Sequence, residues 1–157
     1  MVLDCLNNLD MLLAAFPLLA ALLAGAGANG IMTVDHSIWE SNFGPMIVAE
    51  SVQQWSAIYP QYEGVIIGQA NNGLVTGRWI QGQSDKHCSS PIRLADSTQR
   101  DWLNALDIGD QTQHWGQVNF AFSGDELTGT WNYCDFADTP QPWTGRRICK
   151  KTFTYQQ

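Results

Sequence analysis

The sequence predicts an all-β protein: an antiparallel up-and-down β-barrel of about eight strands with one short inserted helix. Three observations carry this expectation. Short runs of alternating apolar and polar residues recur between turn signals such as Asn71-Asn72-Gly73 and Ser123-Gly124-Asp125. Thr-Gly recurs in strand context at Thr76-Gly77, Thr128-Gly129 and Thr144-Gly145, although glycine is costly in a strand unless geometry requires it. The chain of 157 residues also carries 7 Trp, 6 Phe and 4 Tyr, too many core formers for a solvated coil. Closing the sheet removes the edges that many short strands would otherwise expose.

From the N-terminus, Met11–Ala28 (MLLAAFPLLAALLAGAGA) is free of charge. Its Leu/Ala stretch has the length of a signal-peptide apolar core, and Ala24-Gly25-Ala26 and Ala26-Gly27-Ala28 fit the small-x-small cleavage pattern. A membrane anchor is the alternative, but it needs about 20 apolar residues, and Pro17, Gly25 and Gly27 suit it poorly. Asp4 and Asp10 stand where a basic flank is usual, and a start at Met11 removes both. Residues 1–28 are therefore read as a signal peptide or N-terminal anchor, and residues 29–157 as a single barrel domain. The expected location is secreted or periplasmic, off the membrane once the signal is cleaved.

Ile38-Trp39 and Pro45–Ala49 flank the turn Ser41-Asn42-Phe43-Gly44. Ser56–Tyr59 ends at Pro60, which cannot donate to a ladder. Gly64–Gly68 and Leu74–Gln81 should pair as a hairpin around Asn71-Asn72-Gly73. After a polar loop at 82–93, Asp96 or Ser97 can cap a helix through Arg100–Leu106, with Trp102, Leu103 and Leu106 on one face and Gly109 ending it. Val118, Phe120 and Phe122 then share a face opposite Asn119, Ala121 and Ser123. Leu127, Gly129, Trp131 and Tyr133 share the next. After a polar loop at Cys134–Pro142, strands are expected at Trp143–Lys150 and Thr152–Tyr155.

In each Thr-Gly element the glycine shares a face with the residue two positions on, Trp79, Trp131 or Arg147. A missing side chain there lets a bulky neighbour lie over the backbone, so Trp79 and Trp131 are expected to point into the barrel. Cys88, Cys134 and Cys149 follow residue 28, and in an exported chain one disulfide plus one leftover thiol is the natural count. If 135–142 is a hairpin loop, Cys134 faces Trp143, and Cys149 lies too far along the strand to bridge it. The expected pair is thus Cys88–Cys134, with Cys149 free.

A net charge of −7 speaks against nucleic acid as partner. His36, His87 and His114 are scattered, and the cysteine spacing matches no zinc pattern, so neither a metal nor a cofactor is expected. The chain contains no G-x-S-x-G, P-loop or G-x-G-x-x-G, and Asp125-Glu126 and Asp135/Asp138 fall in turns where solvated charge is the default. It therefore reads as no enzyme. Arg146, Arg147, Lys150 and Lys151 suggest a charged edge strand, or else a docking patch for an anionic partner.

The segments IWESNFGPMIV (38–48), SAIY (56–59) and LVTGRW (74–79), followed by Trp115–Phe122 and LTGTW (127–131), resemble the avidin and streptavidin family. The resemblance implies an up-and-down barrel. Of that family's ligand-binding positions, Tyr59 matches the binding tyrosine of the family. Ser41 and Pro45 fall where the family offers Asn and Ser to biotin, Pro60-Gln61 replaces a further hydroxyl, and Phe120 and Phe122 stand at a packing Trp. The resemblance therefore implies the scaffold and not biotin.

The expected function is that of a secreted, non-catalytic binding protein holding a small or apolar ligand in the barrel. Tyr59, Trp79, Phe120, Trp131 and Tyr133 are its candidate ligand-binding residues. The alternative is a surface module recognising carbohydrate or protein, in a structural or inhibitor role, through exposed aromatic side chains such as Trp55 and Trp102. A hollow interior favours the first; a filled barrel with an exposed Trp row favours the second.

Overall fold

The computed structural model describes residues 31–52, 54–94, 97–135 and 139–156. The signal-peptide or anchor reading of 1–28 and the helix cap at Asp96 lie outside them, as does the Trp102 side chain. Among these residues ten strands occur in the order β1 (Ile31–Ser41), β2 (Gly44–Glu50), β3 (Gln54–Tyr59), β4 (Gly64–Asn71), β5 (Leu74–Gln81), β6 (Ile92–Arg93), β7 (Gln111–Thr112), β8 (His114–Ser123), β9 (Glu126–Tyr133) and β10 (Gln141–Gln156). A helix, α1 (Ser97–Ala105), separates β6 from β7. The barrel closes in the order β1-β10-β9-β8-β5-β4-β3-β2, and β6 and β7 pair separately. The expected barrel with an inserted helix is what the chain forms.

The hairpin β4–β5 pairs Asn71 with Leu74, and the turn needs left-handed backbone at Asn72 (φ 51°) and Gly73 (φ 78°). β3 stops at Tyr59 because Pro60 opens a 3-10 turn, Pro60–Tyr62. α1 ends before Gly109: Ile108 N donates to Leu103 O at 2.7 Å, and Asp107 already takes φ 56°.

The last two expected strands are one strand of 16 residues, since β1 runs from Ile31 and pairs with it as far as Gln156. Their register shifts between Ile38 and Trp39, which face Cys149 and Arg147, leaving Ile148 bulged and 53 % exposed. β10 is thus no edge strand, because closure gives it β1 and β9 as neighbours. Its cations find carboxylates instead: Arg147 pairs with Asp125 and Lys150 with Asp35, both at 2.6 Å.

The inward face carries most of the large aromatic side chains. Gly116 leaves room for the Trp79 indole, Gly129 for the Phe120 ring and Gly64 for the Tyr59 ring; a Cβ at any of the three would collide with that ring. Trp55, expected to be partly exposed, is 1 % exposed. It shares the inward parity of Ala57 and Tyr59 on β3.

A second apolar layer lies on the outer face. Ile47, Ile58, Val65, Ile80 and Trp115 pack there with Leu103 of α1, while Leu106 and Ile108 pack against the same cluster. The run Val65-Ile66 is apolar on both faces because Val65 belongs to this outer layer and Ile66 to the interior.

The Cys88–Cys134 disulfide forms, with Cα atoms 5.6 Å apart. The register argued for it differs, because Trp143 faces Gly129 and not Cys134. Cys149 is also disulfide-bonded, which corrects the expectation of a free thiol.

Two outcomes follow. Replacing both Cys88 and Cys134 by Ser removes a link across 46 residues and should cost about 4 kcal/mol in the chain-entropy model, measured by urea unfolding. His36 is fully buried and its ring nitrogens have no partner. Burial pushes its pKa below the usual 6.5, against the raising effect of Asp35. Its neutral form is therefore preferred in the fold, and stability held above pH 6.5 should fall as the pH drops through the lowered pKa. The slope should approach about 1.4 kcal/mol per pH unit and disappear in His36→Phe when unfolding is measured from pH 7 to pH 4.

Candidate functional site

The two ends of the barrel differ because the connections differ. At one end the strands turn tightly at 72–73 and 124–125. A cavity of only about 70 Å³ lies there beside Asp35, Glu50, Arg147 and Lys150. The middle is filled by aromatic rings, with Trp39 and Phe122 centred 5.1 Å apart and Trp55 and Phe120 centred 5.7 Å apart. The other end receives the turn at 42–43, the 3-10 turn and the long connection from β5 to β8. It is hollow, with a cavity of about 540 Å³, within the range usual for small-molecule sites.

Strand parity aims most of its walls. β5 contributes Trp79 and Gln81, β9 contributes Trp131 and Tyr133, β3 ends on Tyr59, and β10 supplies Trp143. Phe43 and Tyr62 come from the two turns, and Gln83, Ser84 and Asp85 from the loop after β5. The rings brace one another edge to face, Trp131 with Tyr133 at 5.1 Å, Trp79 with Tyr133 at 5.4 Å and Tyr59 with Trp143 at 5.4 Å between centroids.

Polar atoms at the wall differ in how they are satisfied. Gln81 Nε2 donates to Tyr59 Oη at 3.0 Å, and Trp79 Nε1 donates to Asn132 O at 3.1 Å. The indole N–H groups of Trp131 and Trp143 are buried with no partner. Burial drives the Tyr59 phenol pKa well above its usual range, with the Gln81 hydrogen bond opposing it in part. Tyr133 is raised chiefly by burial and then by the nearby Asp85 carboxylate. Both phenols stay neutral in ordinary buffers.

Ser84 Oγ lies 2.9 Å from His114 Nδ1, an arrangement that resembles a nucleophile and its base. However, Ser84 Oγ donates to Lys86 O at 2.5 Å, so the His114 nitrogen must be the donor in the remaining contact. The hydroxyl is held rather than activated. Among the described residues no group of three or more His, Cys, Asp or Glu converges to hold a metal ion.

Of the residues singled out in the sequence, Tyr59, Trp79, Trp131 and Tyr133 meet in the cavity wall. Phe120 is not part of that wall; its ring packs behind Trp143 at 5.4 Å and against Trp55. Ser41, which the avidin-like resemblance placed at a ligand-contacting turn, is absorbed by that turn, donating to Gly44 O at 2.7 Å and accepting from Phe43 N at 3.1 Å. Trp143 and Gln81 were not singled out, although parity with Gly145 and with Trp79 marks both as inward. Phe43 and Tyr62 lie in turns, where alternation carries no signal. Comparison of the chain with protein-family models, curated proteins and solved structures found no match.

Wall and floor should respond differently to truncation. Phe120 is 2 % exposed, so Phe120→Ala should cost about 3–5 kcal/mol. Trp131 is only half-buried and borders empty space, so Trp131→Ala should cost about 1–2 kcal/mol. Chemical denaturation of the two variants side by side measures the contrast.

Proposed function

We propose that this protein is an exported, non-catalytic binding protein that holds one small, largely apolar molecule in the mouth of its barrel. The observation that carries this reading is the cavity of about 540 Å³ walled by the rings of Tyr59, Trp79, Trp131, Tyr133 and Trp143, apolar in character as small-molecule sites usually are. Rings already braced edge to face lose little freedom when a ligand arrives, which favours affinity. The Cys88–Cys134 disulfide suits an oxidising compartment and so supports export. The avidin-like segments enter this reading as a scaffold for a different ligand, since the Ser41 hydroxyl is occupied by its own turn. The surface-module alternative is less favoured, because Trp55 is buried.

Tryptophan fluorescence of the purified chain titrated with small planar ketones and esters tests the proposal. Saturable quenching at one site per chain is expected. Trp131→Ala removes part of the aromatic wall and should weaken binding by about tenfold or more. Absence of saturation with every compound, in a protein that still melts cooperatively, overturns the proposal.

A further inference from the structure

We infer that the molecule held in this cavity is an organic ammonium compound, an inference that rests on the binding function proposed above. Asp85 is the one charged side chain among the residues lining the cavity, and it has no ion-pair partner among the described residues. Its carboxylate sits close enough to Tyr133 to hold that phenol in its neutral form more firmly. The negative charge is local to Asp85, because the Lys86 ammonium stands over the same Tyr133 ring.

The rest of the wall is aromatic, and ring faces attract desolvated cations through the quadrupole of the π-system. The chain already uses one such face: Lys86 Nζ stands 5.3 Å over the Tyr133 ring. Tyr133 in turn packs edge to face with Trp79 and Trp131, at 5.4 and 5.1 Å, so a cation at this rim meets a connected aromatic surface. A chain of net charge −7 also draws cations toward it over longer range.

A carboxylate ligand would meet Asp85, and no basic side chain is among the residues lining the cavity to offset that repulsion.

Benzoylcholine supplies an ammonium group, an ester oxygen and an aromatic body in one probe. Its neutral isostere 3,3-dimethylbutyl benzoate replaces the nitrogen by carbon, and benzoate supplies the anion. Fluorescence titration of the full chain should give benzoylcholine at least about tenfold tighter than the isostere, with benzoate weakest. Asp85→Asn should bring benzoylcholine and its isostere to within about threefold of each other. Lys86→Gln, which frees the Tyr133 face, should tighten benzoylcholine and leave the isostere unchanged. Equal or tighter binding of the isostere overturns the cation and leaves the binding function standing. So does an Asp85→Asn variant that keeps the full preference. Tightest binding of benzoate overturns it in favour of an anion. Failure of all three probes, together with the ketones and esters above, removes the binding function as well.

Discussion

Everything in this barrel depends on large rings being accommodated over missing side chains. An eight-stranded barrel has an interior just wide enough for its own side chains or one small ligand. Here that interior must hold the rings of Trp39, Trp55, Tyr59, Trp79, Phe120 and Trp143, all buried. It does so because inward positions on neighbouring strands are glycine. Gly116 faces Trp79 across β5 and β8, Gly129 faces Phe120 across β8 and β9, and Gly64 faces Tyr59 across β3 and β4. With no Cβ between ring and backbone, Trp79 lies across β8 and reaches Asn132 O on β9. Rings laid along the wall leave the mouth hollow, whereas rings pointing to the axis would fill it.

The outer layer has the complementary task of fixing the rim. The connection from β5 to β8 leaves the barrel at Gln81 and returns at His114, and in between it supplies Gln83, Ser84 and Asp85 to the cavity. Such a length of chain is held at several points. Leu103 is fully buried in the outer apolar cluster, and Thr112 Oγ1 donates to Gln81 O at 2.8 Å. Cys88 N donates to Gln113 O at 2.7 Å. The disulfide then joins Cys88 to Cys134, which follows Tyr133, and Cys134 N itself donates to Trp115 O at 2.9 Å. The rim and the aromatic wall are thus covalently tied at the place where a ligand would enter.

What was legible in the sequence follows from which signals are periodic. Alternation placed Val118, Phe120, Leu127 and Trp131 on inward faces, and Asn-Gly located the β4–β5 turn. These are local rules with one answer each. The outer apolar layer was illegible because it depends on what α1 and its flanks cover, which is a long-range fact. The Phe120 assignment illustrates the limit: parity told that its ring points inward but not at what depth, and depth separates floor from wall. Phe43 and Tyr62 were lost for the opposite reason, since turns carry no period. The β9–β10 register was misjudged because the number of loop residues in the turn cannot be read from composition, even though the disulfide expected from it forms.

The hollow mouth persists because its rings are positioned by one another and not by anything across the space. Trp131 packs edge to face on Tyr133 and on Trp79, and Trp79 on Tyr133, so each ring has a neighbour within the wall. Two of the polar tips are also fixed: Trp79 Nε1 donates to Asn132 O, and Tyr59 Oη accepts from Gln81 Nε2. An ordinary void costs only dispersion contacts and closes when its neighbours can relax into it. Rings held in this way cannot tilt into the space without losing those contacts, so the cavity stays open.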